Sequence, residues 1–148
     1  MPFVKRAYDI ARKKVFFCNS KDYISEVAEK LHEHNVGSIL VKENEKILGI
    51  ITVNDILRQI SKKKFNYELR ANDIMSSPVV MAHKDLEIDD LVEEFNKHKK
   101  VSRLVLVDDK DRVVGIVRDI AVFKYLSFYK YDEEVKNSFA RDYLHNLY

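Results

Sequence analysis

Apolar residues in this chain fall into short blocks whose spacing alternates between helical and extended. Val4, Ala7, Tyr8 and Ala11 recur at helical intervals and predict a short amphipathic helix over residues 3–12. Val15-Phe16-Phe17 reads as a short strand. Ile24, Val27, Ala28 and Leu31 share one face of a helix, and Glu26, Glu29, Lys30 and Glu33 share the other. Ser38 to Val41 and Ile47 to Val53 are apolar strands flanking the turn Glu43-Asn44-Glu45, and a further helix opens at Asp55 and runs through Ile60. A helix between the first two strands favours a parallel βαβ unit, and the short turn favours a hairpin.

The same order then returns. Strands are predicted at 79–81, 103–107 and 113–117, with helices at 86–98 and 120–130. Ala7-Tyr8-Asp9-Ile10 reappears as Ala71-Asn72-Asp73-Ile74, and Ile24, Val27, Ala28 and Leu31 reappear as Ile88, Leu91, Val92 and Phe95. Gly49-Ile50-Ile51 reappears as Gly115-Ile116-Val117. Each copy is small for a self-sufficient core, so the two are expected to face one another, leaving a cleft for a ligand. The expected fold class is mixed α/β (α+β) with a small sheet in each half. The expected boundaries are 1–66 for the first repeat with its N-terminal helix, 67–126 for the second, and 127–148 for a tail. In that tail Val135, Phe139, Tyr143 and Leu147 step by four, predicting an amphipathic helix over 133–147 whose apolar stripe must pack on the domain or on a second subunit.

Composition narrows the function classes. The 26 basic and 24 acidic residues nearly cancel, giving a net charge of +2, which argues against a dedicated nucleic-acid binder. The runs Arg12-Lys13-Lys14 and Lys62-Lys63-Lys64 read as solvated surface. A single cysteine, Cys18, excludes an intramolecular disulfide. No apolar run approaches the roughly 20 residues of a membrane span, and residues 1–14 lack the apolar centre of a secretory signal. A cytoplasmic protein is expected. His32 and His34 do not share a helical face and make a poor metal pair. No Walker loop, Rossmann glycine run or paired zinc-ligand motif occurs.

The repeat unit resembles the CBS domain. The resemblance rests on Asp73-Ile74-Met75 before Ser77-Pro78-Val79-Val80, on Val101-Ser102-Arg103-Leu104-Val105-Leu106-Val107-Asp108, and on Gly49-Ile50-Ile51-Thr52-Val53-Asn54-Asp55-Ile56, within residues 7 to about 126. It implies a CBS pair, or Bateman module: two tandem βαββα repeats related by a pseudo-two-fold axis, followed here by the C-terminal amphipathic helix. Such pairs are regulatory, commonly bind AMP, ADP, ATP or S-adenosylmethionine, and often form homodimers. The resemblance implies no catalytic activity and no obligatory cofactor. It implies a composite main site of Ile50, Thr52, Asn54, Asp55, Ser77, Ala82, Val101, Ser102 and Arg103. Arg103 falls where members of the family can place a phosphate-binding arginine.

The chemistry of the main site is intelligible from its residue types. A carboxylate such as Asp55 can accept from two vicinal ribose hydroxyls, and hydrogen bonds to charged groups contribute about 1.5–3 kcal/mol each. The helix start after Val53 offers free N–H groups suited to phosphate. Thr-x-x-Asp is also a capping-box pattern, and the two roles can coexist. In the second copy, gapless alignment puts Arg118 at the Thr52 position and Ala121 at the Asp55 position. A two-residue deletion that moved Asp119 into register would set Ile60 against Lys124, so the ribose carboxylate is read as absent there. The expected second, degenerate site comprises Lys13, Cys18, Val36, Gly37, Ser38, Ile116 and Arg118, with Cys18 a wall or core residue rather than a nucleophile. The leading expectation is a module that senses an adenosyl ligand and signals to a separate effector protein. The alternative is a structural or interaction module with a vestigial pocket.

Overall fold

The structure, a computed structural model, describes residues 5–129. It divides into two compact units: a contiguous one, Val15–Val79, and a discontinuous one that joins the residues up to Lys14 with those from Val80 onward. In the contiguous unit β1 (Phe17–Asn19) leads through α2 (Ile24–Glu33) to β2 (Ser38–Glu43), then β3 (Lys46–Thr52), α3 (Val53–Ile60) and the one-turn helix α4 (Ala71–Ile74). The discontinuous unit holds the one-turn helix α1 (Ala7–Ile10), then β4 (Met81–His83), α5 (Ile88–Lys97), β5 (Arg103–Val107), β6 (Val113–Arg118) and α6 (Asp119–Tyr129). Each unit has one three-stranded mixed sheet, of order β1-β2-β3 or β4-β5-β6. In each the first pair is parallel and the second antiparallel.

Side-chain spacing dictates which face each helix buries. Ile24, Val27 and Leu31 of α2 pack with Ile39, Val41 and Ile51, all nearly inaccessible. Ile88, Leu91 and Phe95 of α5 do the same against Leu104, Leu106 and Val117. Strand residues two apart point the same way, so β2 and β5 each present alternate residues to a helical core. The hairpin turns where expected, with Asn44 at φ 49° and Glu45 at φ 65°. Two successive residues of positive φ give the twist a two-residue hairpin favours. Both hairpins carry a register shift at matching places, Val41/Lys42 and Leu106/Val107.

Three expectations need correction. The first strand of each repeat lies two residues later than the apolar runs suggest, at 17–19 and 81–83 rather than 15–17 and 79–81. Parallel pairing with the neighbouring strand fixes these short edges: Phe17 is opposite Leu40 and Met81 opposite Val105. The N-terminal helix spans only 7–10 of the expected 3–12, residues 1–4 lying outside the described part. In space it packs with the discontinuous unit rather than with Val15–Val79. Ala7 N–H donates to Leu86 O at 2.8 Å, Tyr8 N–H to Lys84 O at 3.0 Å, and Arg12 exchanges two backbone bonds of 2.9 Å with Ile116. The matching α4 serves the first repeat, with Ala71 N–H donating to Asp22 O at 2.8 Å. The amphipathic helix expected over 133–147 falls outside the described residues.

Candidate functional site

β3 runs directly into α3, and that junction gathers four of the nine expected main-site residues, Ile50, Thr52, Asn54 and Asp55. Thr52 is the N-cap of α3. Its Oγ1 accepts the Asp55 N–H at 3.2 Å, and Asp55 Oδ2 accepts the Thr52 N–H at 2.8 Å. The Thr52 hydroxyl also donates to Oδ2 at 3.0 Å. The capping box is therefore real, and it immobilises the carboxylate. Asp55 is 7% exposed. Its other oxygen, Oδ1, accepts from an Arg58 guanidinium nitrogen at 3.3 Å. Asn54 is exposed beside it.

The chain returns to β3 after α4. Ile50 exchanges two backbone bonds with Ser76, at 3.0 and 2.9 Å, and Ser77 Oγ donates to Leu48 O at 2.7 Å. This close approach needs Gly49: an added Cβ there would lie 2.7 Å from Ser76 O and 2.7 Å from Met75 Sδ. Ile50, Thr52, Asn54, Asp55 and Ser77 thus share one strand and its flanks. Ser38 lies opposite Thr52 on β2, and Gly37 O accepts the Val53 N–H at 3.0 Å. Cys18 and Val36, by contrast, belong to the helix-side core. Burial pushes the Cys18 thiol up to about 11, so it stays protonated and inert.

The remaining predicted residues lie in the discontinuous unit. Ala82 and Val101 pack on its core. Ser102 Oγ accepts from Arg103 at 3.2 Å, and Ser102 O accepts the Asp119 N–H at 3.0 Å. That last bond is the counterpart of Val53 N–H to Gly37 O. Asp119 therefore occupies the Val53 position, not that of Asp55, and Arg118 occupies that of Thr52, as the gapless alignment expects. Asp119 is buried, its carboxylate accepting the Ile120 N–H at 2.7 Å. Desolvation raises its pKa, opposed by the Ile120 N–H and by Arg118 and Arg103. Ile116 is nearly buried beside Arg12, and the Lys13 ammonium lies 4.7 Å from the Tyr8 ring centre.

Two participants escape sequence reasoning. Arg58 sits three residues after Asp55, a helical spacing that signals an ion pair. Arg12 is brought to β6 by a bridge across more than a hundred residues, for which no local signal exists. A groove of about 300 Å³ also lies between α2 and α3, lined by Ala28, Leu31, His32, Asn35, Val36, Val53, Ile56 and Leu57. It holds neither Thr52 nor Asp55.

A mixed sheet with a parallel βαβ start and a hairpin, built twice, each hairpin feeding a helix, defines a tandem-repeat module. The sequence profile of the CBS domain matches residues 7–62 and 71–127, and the chain belongs to the CBS domain family. It is 35% identical over 111 residues to the uncharacterized protein MK0525 of Methanopyrus kandleri, covering 74% of this chain and 56% of that protein. It is 31% identical over 119 residues to the uncharacterized protein MJ1232 of Methanocaldococcus jannaschii, covering 80% of this chain and 38% of that one. The chain thus spans about half or less of these relatives. Among solved structures, the CBS domain pair of protein MJ0100, in complex with 5′-methylthioadenosine and S-adenosyl-L-methionine, superposes with a TM-score of 0.70 at 28% identity, covering 84% of this chain and 97% of that one. The CBS domain protein TA0289 of Thermoplasma acidophilum superposes with a TM-score of 0.74 at 20% identity, covering 98% and 77%, and shows the shared fold.

Proposed function

We propose that this CBS pair is a non-catalytic regulatory module that binds an adenosyl ligand and passes its occupancy to a separate protein. The observation that carries this reading is the state of Asp55. One carboxylate oxygen is committed to the capping box, while the other is held by Arg58, whose side chain is 61% exposed. Oδ1 can exchange that exposed partner for ribose hydroxyls without undoing the cap. The start of α3 then offers N–H groups to a phosphate. The adenosyl ligands of the MJ0100 pair support the ligand class. Following the family pattern, Ile50, Thr52, Asn54, Asp55 and Ser77 from the first repeat and Ala82, Val101, Ser102 and Arg103 from the second make up the main site. The same pattern makes Lys13, Cys18, Val36, Gly37, Ser38, Ile116 and Arg118 the second, degenerate site, of which Cys18, Val36 and Ile116 are buried.

Thermal melting with AMP, ATP and S-adenosylmethionine tests this reading. A ligand at 100 times its dissociation constant stabilises by about 2.7 kcal/mol, so at least one is expected to raise the melting temperature. No shift with any of them overturns it. The rival, an interaction module with a vestigial pocket, is favoured by one observation. Val53, Leu57 and Ile60 of α3 are 43%, 56% and 55% exposed, an apolar stripe suited to a protein partner such as a second copy. Cytoplasmic residence is part of the proposal; among the described residues, no helix is long and apolar enough to cross a membrane.

A further inference from the structure

One face of α3 is built like half of an interface. Val53, Leu57 and Ile60 fall on a single side of the helix and stay exposed. Beside them runs the groove of about 300 Å³, walled on the α2 side by Ala28, Leu31 and His32. The charge of this face has one sign. Arg58 is exposed, as are Lys62, Lys63 and Lys64 directly after the helix. Asp55, the one carboxylate between Val53 and Tyr67, is buried in the cap. An apolar stripe that ends in cations fits an occupant whose apolar stripe ends in anions.

The chain carries such a segment itself. Asp132-Glu133-Glu134 is its only run of three acidic residues, and Val135, Phe139, Tyr143 and Leu147 follow at steps of four. Laid antiparallel to α3, this segment sets the three carboxylates against Lys62-Lys63-Lys64, with Val135 at Ile60, Phe139 at Leu57 and Tyr143 at Val53. The lengths agree. At a rise of about 1.5 Å per residue, Val53 to Ile60 covers about 10.5 Å and Val135 to Tyr143 about 12 Å. Between Asp119 and Tyr148 no Gly or Pro turns the chain back. A helix over 119–148 would measure about 45 Å, against a radius of gyration of about 10 Å for a unit of about 60 residues. A segment so directed leaves its own unit and meets a second molecule.

We propose that residues 132–147 of a second copy dock along α3, in the groove between α2 and α3, so that two chains are tied together by exchanged tails. Opposite charges at one end fix the direction of docking, and the partner's Phe139 fills the groove beside Leu57. The proposal does not depend on the adenosyl reading, which ligand melting tests separately.

The test mixes two full-length variants, Leu57→Cys and Phe139→Cys, under oxidised glutathione. A disulfide needs Cα atoms roughly 4.4–6.8 Å apart, so its formation reports contact. Cys18 is silent, being buried with its thiol pushed up to about 11. The mixture is expected to give a disulfide-linked dimer of one variant with the other, at least tenfold faster than Leu57→Cys mixed with Arg141→Cys, which lies off the stripe. Adding Lys62→Glu, Lys63→Glu and Lys64→Glu to the Leu57→Cys chain should slow the reaction at least tenfold. Asp132→Lys, Glu133→Lys and Glu134→Lys in the Phe139→Cys chain should then restore it. No linked dimer in the mixture, or equal rates for the Phe139→Cys and Arg141→Cys partners, overturns the proposal. Rapid self-linking of Leu57→Cys alone also overturns it, because two α3 faces then meet each other. So does a disulfide within one chain of the Leu57→Cys, Phe139→Cys double variant without any in the mixture, because each chain then covers its own groove.

Discussion

Asp55→Ala perturbs two functions of one carboxylate, and they can be separated. On the folding side, the Thr52 N–H and hydroxyl lose an acceptor, at 2.8 and 3.0 Å. A lost cap costs roughly 0.5–2 kcal/mol. The ion pair with Arg58 adds only a few tenths, because that side chain is 61% exposed. The sum is about 1–2 kcal/mol, or a fall in melting temperature of about 2–8 °C at about 2–4 °C per kcal/mol for a chain of this size. On the binding side, loss of a carboxylate that accepts from ribose should weaken an adenosyl ligand at least tenfold, about 1.4 kcal/mol. Asp55→Asn separates the effects. Its carbonyl oxygen can still accept the Thr52 N–H, so most of the cap survives, while the charge that strengthens bonds to ribose is gone. The Asn variant is therefore expected to melt close to wild type and yet bind weakly. Calorimetry alongside thermal melting reads both. Unchanged affinity in both variants refutes the ribose assignment; an unchanged melting temperature in Asp55→Ala refutes the capping argument.

Other positions make equally direct claims. Gly49→Ala forces a Cβ against Ser76 O and should cost about 1–3 kcal/mol, whereas Gly115→Ala meets Arg12 O at 3.0 Å and should cost less; denaturant melts that rank the two oppositely would contradict this. Asp119 binds its proton more tightly folded than unfolded, because burial raises its pKa. Its contribution to stability therefore declines as pH rises from about 4 through its raised pKa. Asp119→Asn should remove that decline, and parallel stability–pH curves for variant and wild type would disprove it. Cys18, with its thiol pushed up to about 11, should resist thiol reagents at pH 8 until the protein unfolds; rapid stoichiometric labelling of the native protein would count against the buried assignment.

The repeat was readable because it is local physics stated twice. Asp9 and Asp73 recur because each carboxylate accepts the N–H of the residue three before it, Arg6 and Arg70, both at 2.8 Å. Ile24, Val27 and Leu31 announce α2 by spacing alone, as Ile88, Leu91 and Phe95 announce α5. The edge strands were misplaced because Val15-Phe16-Phe17 advertises hydrophobicity, whereas a three-residue edge strand is defined by its partner. Within the site, Thr52 and Asp55 were legible together, since Thr-x-x-Asp encodes its own hydrogen bonds. The pairing of Arg12 with β6 was not, because it depends on a long-range bridge to Ile116.

The exchange of one-turn helices has a consequence for the order in which the molecule can be completed. During synthesis, every partner of the contiguous unit has emerged once the chain has passed Val79, so that unit can close while translation continues. The residues around α1, made before any of it, must wait with unpaired N–H groups for Lys84, Leu86 and finally Ile116. Closing that circuit from Arg12 to Ile116 spans a long loop, yet loop entropy grows only logarithmically with length. Much of the intervening chain is already compact by then. The segment around α1, made before either sheet, is therefore tied in only after β6.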